Sequence, residues 1–157
     1  MTRLLFVGQA PSRIGDGRPF SGPSGRRLAA LLRLRDYEHL ASSVTLVNIF
    51  DHPADRQEAR GDGFDEFQAK VKARMLTEQW VSLKEEIIVV CCGHAVYRAF
   101  TDSRGTFYKG RRDQNLELWC FPHPSGASAY WNRRDNVLYA ANFLRRLLNR
   151  SSIVIAR

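Results

Sequence analysis

Four short apolar runs, each followed by a break and then a helical pattern, constrain this chain more than any other feature. Arg3 to Val7 closes at Gly8, Val44 to Phe50 at a polar, Pro-containing segment running from Asp51 to Gly63, and Ile87 to Cys92 at Gly93. Leu116 to Phe121 is the fourth run. Continuous apolar runs of this length, rich in β-branched residues, read as strands buried on both faces. Between them lie helical spacings. The stretch from Ser24 places Leu28, Leu31, Leu32 and Arg35 at such a spacing, with Ser24 available as N-cap. Phe64 to Leu83 carries Phe67, Val71, Met75 or Ala73, and Trp80 near one face, and Gly93 to Phe100 is a short helix. Arg134 to Leu148 points Leu138, Ala141, Phe143 and Leu144 toward the core. Strand alternating with helix predicts an α/β fold: three layers, α/β/α, around a mainly parallel four-stranded sheet. The 157 residues fit one domain, 1–157, with a real core.

In such a fold ligands gather beyond the carboxyl ends of the strands. Here those ends carry Gly8, Asn48, Gly93 and His123, and the loop after the first strand, through Gly25, is rich in Gly, Pro and Ser. Twenty-four Lys and Arg against 16 Asp and Glu leave a net charge of +8, which favours a polyanionic partner. Lys109, Arg111 and Arg112 lie in a loop before the fourth strand, and Arg145, Arg146 and Arg150 on the last helix; each cluster reads as a solvated face. Cys91, Cys92 and Cys120 show no spacing suited to zinc or an iron-sulfur cluster, and they read as buried small hydrophobes. His52 and His94 follow strand ends without a third ligand at suitable spacing, so no metal is expected. No apolar run approaches the roughly 20 residues that span a bilayer, and the first residues lead into a strand instead of a signal peptide. An intracellular location is expected. The closing SSIVIAR is an edge strand or a frayed tail.

Three segments carry a resemblance. GQAPSRIGDGRPFSGPSG, Gly8 to Gly25, looks like the first motif of the uracil-DNA glycosylase superfamily, nearest the branch whose loop runs from GEAPG to PFxGxxG. LVNIF, ending at Phe50, places Asn48 at the end of a strand, and HPSGAS, His123 to Ser128, follows the last strand. All three occur in the expected order. The resemblance implies a monofunctional DNA glycosylase that flips uracil or a related modified base, cuts its N-glycosidic bond with water and leaves an abasic site. It further implies DNA as partner, base excision repair as the setting, no cofactor, no membrane and a monomer.

The resemblance also distributes roles. His123 would donate to the O2 side of the departing uracil; a turn histidine before Pro124 is the plain alternative. Asn48 would read the O4 and N3 edge, and Phe20 would stack on the base, unless they are a strand-end cap and a core ring. Gly8, Ala10, Pro11 and Ser125 would complete the substrate site. Gln9 and Asp16 are the water-positioning candidates, although Gln9 cannot accept a proton and Asp16, between Gly15 and Gly17, also suits a turn. Ser21, Gly126, Tyr130, Trp131 and Arg133 would meet DNA, with Tyr130 or Trp131 as a wedge into the vacated stack or as core anchors of the last helix. The four cysteines of the nearest branch are absent. Ala10 and Gln9 also motivate a second possibility, a module that recognises damaged DNA without cutting it. A third is an enzyme of free nucleotides using the same pocket.

Overall fold

The computed structural model describes residues 1–53, 65–125 and 128–154. The elements, in chain order, are β1 (Thr2–Gly8), α1 (Pro23–Leu31), α2 (Tyr37–Ser43), β2 (Thr45–Asn48), α3 (Glu66–Ser82), β3 (Glu86–Cys92), α4 (His94–Thr101), β4 (Gly110–Asp113), β5 (Leu116–Phe121) and α5 (Arg134–Arg150). A 3-10 turn, Ala129–Asn132, precedes α5. The sheet order is β2-β1-β3-β5-β4. The first four of these strands run parallel, and β4 pairs antiparallel with β5.

Alternation along the central strands explains the three layers. Leu4 and Phe6 of β1, with Ile88, Val90 and Cys92 of β3, face a cluster built on Leu28, Leu40, Phe143 and Leu144. Leu5 and Val7, with Ile87, Val89 and Cys91, face the opposite cluster, which includes Ala69, Ala73, Trp80 and Val96. Because successive side chains leave a strand on opposite faces, an unbroken apolar run requires cover on both. Helices α1, α2 and α5 cover one face, and α3 and α4 the other.

The α/β/α architecture is thus as expected, and several details are corrected. The sheet has five strands, because Arg111 and Arg112 lie in β4, not in a loop. Every residue of β4 is exposed, so no apolar run marks it. Helix α2 was not anticipated; its seven residues are too few to show a period, and Asp36 caps it by accepting from the His39 amide at 2.9 Å. Helix α1 starts from Gly22, not Ser24, with Pro23 at the first helical position, where its missing N–H costs nothing.

Helix α3 keeps only part of the expected stripe inward. Ala73 and Trp80 are buried as expected, joined by Ala69, whereas Phe67, Val71 and Met75 are 72%, 42% and 64% exposed. Two stripes share the same helical spacing, and the small alanines are the ones that let the helix approach its neighbours. The predicted start of this helix, Phe64, lies outside the described residues. In α5 the core face is Ala140, Phe143, Leu144 and Leu147, while Leu138 is exposed and Ala141 half-buried. After α5, the Thr2 amide donates to Ser152 Oγ and the Ser152 amide to the Thr2 carbonyl, both at 2.8 Å. Residues 151–154 form no strand, and 155–157 lie outside the described residues.

Candidate functional site

The carboxyl ends of β1 and β2 lie side by side, with Gly8 paired to Asn48. Beyond them the pairing continues one step into the loops. The Ile49 amide donates to the Gly8 carbonyl at 3.0 Å and the Phe50 amide to the Gln9 carbonyl at 2.9 Å. These bonds hold the first loop against the second. Between them and the segment after β5 opens a pocket of about 530 Å³, lined by Gly8, Gln9, Ala10, Pro11, Phe20, Asn48, His123 and Ser125 among others. Eight of the residues singled out in the sequence therefore meet at one cavity. Ser12, Arg13 and Pro53 also line it and were not singled out, and Ser24, expected only as a helix cap, lines it as well. Their only signal was membership of the Gly/Pro/Ser-rich loop or closeness to Asn48.

Gly8 is tight for a steric reason. A Cβ there would lie 2.8 Å from Asn48 Oδ1 and 2.9 Å from Phe20 Cζ, so the bare backbone lets the amide and the ring close on each other. Phe20 is 6% exposed and has a φ of 60°, unusual for a bulky residue and a small stored strain. Tyr37 Oη holds the turn by donating to the Pro19 carbonyl at 2.6 Å. The Asn48 side-chain nitrogen, Nδ2, is buried and has no hydrogen-bond partner among the described residues. A buried donor left unpaired costs about 1–3 kcal/mol, which a ligand acceptor would recover.

His123 is fixed at three points. The Ser125 amide donates to its Nδ1 at 3.1 Å, and Trp131 Nε1 donates to its carbonyl at 2.8 Å. An accepting Nδ1 leaves the ring proton on Nε2. Gly93, at φ +106°, lies against the ring, where an added Cβ would come within 3.5 Å of His123 Cδ2. The imidazole is thus a donor of defined tautomer at the wall of the pocket.

Asp16 is not among the residues that line the pocket. Arg18 Nε donates to its Oδ2 at 2.7 Å, and the same guanidinium reaches Glu38 Oε1 at 2.6 Å. Hydrogen bonds from Arg18 hold the Asp16 carboxyl well below the usual carboxylate range. That pairing ties the first loop to α2. Ser21 Oγ accepts from the Asp16 amide at 3.1 Å and likewise belongs to the loop's internal bonding. No Asp or Glu lines the pocket among the described residues.

Comparison with known protein families matches residues 1–148 to the uracil DNA glycosylase superfamily. The chain belongs to that superfamily. No curated protein matches it. Members of the uracil DNA glycosylase superfamily are generally glycosylases acting on DNA, and the expected family assignment stands. Of the two readings of Tyr130 and Trp131 in this superfamily member, the packing bears on the core anchor. Trp131 is 5% exposed, with the Arg27 guanidinium 5.0 Å from its ring centroid, and serves as a core anchor. Tyr130 is half-buried, its hydroxyl bonded to that of Tyr108 and its ring edge-on to Phe107. Arg133 is exposed at the start of α5, and Gly126 lies outside the described residues. All three cysteines are buried and unbonded to one another; burial pushes the Cys120 thiol up to about 11. Among the described residues no three His, Cys, Asp or Glu side chains form a group that could hold a metal, and no helix is long and apolar enough to cross a membrane.

Proposed function

We propose that the protein is a monofunctional DNA glycosylase that hydrolyses the N-glycosidic bond of uracil, or of a related modified base, in DNA. The observation that carries the reading is the convergence of the unpaired Asn48 amide, the Nε2 donor of His123 and the Phe20 ring on one cavity. Breaking the bond leaves negative charge on the base oxygens, and a preorganised donor aimed at them is the main means of lowering that barrier. His123 donates to O2 of the leaving base. Asn48 donates from Nδ2 to O4 and accepts from N3–H, a pattern that cytosine, with an amino group at C4, does not offer. Phe20 stacks on the flipped ring. The +8 charge draws the protein to the phosphate backbone. DNA repair inside the cell is the corresponding setting.

A specific observation favours a second reading. With Ala10 in the water-holding turn and no carboxylate on the pocket wall among the described residues, the protein is a recognition module that binds the flipped base and does not cut. The deciding experiment is incubation with a labelled oligonucleotide holding one uracil, with and without EDTA, followed by alkali and a sizing gel. Breakage at the uracil in both tubes supports the glycosylase. Retained, salt-sensitive binding without breakage supports the module.

A further inference from the structure

We infer that Arg26 and Arg27 of α1, at a second groove of the protein, hold a backbone phosphate of the DNA strand whose base enters the pocket. The inference rests on the DNA-binding reading of that pocket and deepens it.

Between α1 and α5 lies a groove of about 400 Å³, lined by Pro23, Arg26, Arg27, Ala30, Val137 and Ala141 among others. Pro23 also lines the base pocket, so the two openings adjoin at the first turn of α1. The groove carries two cations, and no Asp or Glu lines it among the described residues. Other arginines around α1 are neutralised. Arg18 grips Asp16 and Glu38, and Arg35 pairs with Asp36. Among the described residues neither Arg26 nor Arg27 has a carboxylate partner. Arg27 Nε is moreover buried with no hydrogen-bond partner among them, and its guanidinium lies 5.0 Å from the Trp131 ring centroid. A cation partly stripped of water attracts an anion more strongly than a solvated one, and a planar guanidinium suits phosphate. The walls suit the rest of a strand. Its backbone alternates phosphate with deoxyribose, and Ala30, Val137 and Ala141 offer the sugar an apolar surface beside the two cations.

The placement also ties the strand to the base pocket. Trp131, packed against the Arg27 guanidinium, donates from Nε1 to the His123 carbonyl at 2.8 Å. A phosphate fixed at Arg27 is therefore held by the same packed unit that fixes His123, and the base on that strand is presented in one register. Phosphate contacts position a strand without reading its sequence, so the groove acts whatever bases flank the uracil.

The test is a scan in which single phosphates around a 2′-fluoro-2′-deoxyuridine are replaced by uncharged methylphosphonate, with binding of the labelled oligonucleotide read by anisotropy. The proteins are the wild type, Arg26→Ala and Arg27→Met, whose unbranched side chain keeps a stem against Trp131 without the charge; thermal melts check that both variants fold. The wild type should lose about 10- to 100-fold in affinity at one or two linkages beside the modified uridine. At those linkages Arg27→Met should lose nothing further, and the slope of its log affinity against log salt should shrink by about 1. Arg26 is exposed, so Arg26→Ala leaves the packing intact and should show the same cancellation there or at the adjacent linkage. A flat wild-type scan overturns the assignment and leaves the glycosylase reading standing, as do variant losses that add to the methylphosphonate effect at every linkage. A wild type that shows the linkage effect but excises no uracil overturns the glycosylase reading and leaves the phosphate site in place.

Discussion

Gly8→Ala separates the geometry of the pocket from the stability of the fold. Gly8 does not occupy the left-handed region, so alanine fits its backbone. The obstacle is the new methyl group, which would stand 2.8 Å from Asn48 Oδ1 and 2.9 Å from Phe20 Cζ. Favourable contacts begin at about 3.5 Å, so both neighbours must retreat by on the order of half an ångström. Overpacking of this kind costs about 1–3 kcal/mol. Stiffening of the unfolded chain offsets about 0.4–1 kcal/mol of it. The remainder, roughly 0–2.5 kcal/mol, corresponds to a fall in Tm of at most about 10 °C for a chain of this size. Function should suffer out of proportion. A misplacement of about 1 Å costs about 100-fold in rate, so half that displacement of Asn48 and Phe20 should cost about 10- to 100-fold. The assay is single-turnover uracil excision beside a thermal melt. A variant with the wild-type rate would refute the claim that the close approach at Gly8 sets the positions of the amide and the ring.

Three further outcomes follow from the same geometry. Trp131→Phe keeps a ring beneath Arg27 but removes the N–H bonded to the His123 carbonyl, so stability should fall by about 1–3 kcal/mol; kcat should fall with KM little changed, and a shift confined to KM counts against its hold on His123. Asp16→Asn should leave the excision rate within about threefold, since its carboxylate is engaged by Arg18 outside the pocket; a hundredfold loss would return Asp16 to the chemistry. Glu117, bonded by Arg150 and by Trp119 Nε1, has its carboxyl held below the usual range, mainly by the Arg150 hydrogen bond. A carboxylate depressed in the folded state stabilises above its unfolded value, about 4.3, and that contribution disappears as pH falls through the lower folded value. Melts of Glu117→Gln against pH should therefore differ from the wild type at neutral pH and converge with it in acid.

The site was legible because its parts sit at the ends of strong local signals. Each apolar run had to end somewhere: Gly8 closes the first, Asn48 lies two residues before the end of the second, and His123 two residues beyond the fourth. A parallel sheet carries its carboxyl ends to one edge, so naming the ends was enough to predict that they meet. Phe20 was legible only through the motif around it, since nothing local distinguishes a pocket ring from a core ring.

What the sequence determined by itself is the set of buried strands, the alternation that demands cover on both faces, and the loops where a ligand could sit. These follow from interactions among near neighbours and from the need to remove apolar runs from water. Tertiary structure decided which stripe of α3 faces inward, since Ala69 and Phe67 belong to equally periodic stripes and only the neighbouring layer chooses between them. It decided that Asp16 is bound by an arginine that also grips Glu38, a contact across 20 residues of chain. It also decided that Trp131 is buried with its N–H on the His123 carbonyl, because the space beside Phe121 and Arg27 exists only after the helices have packed.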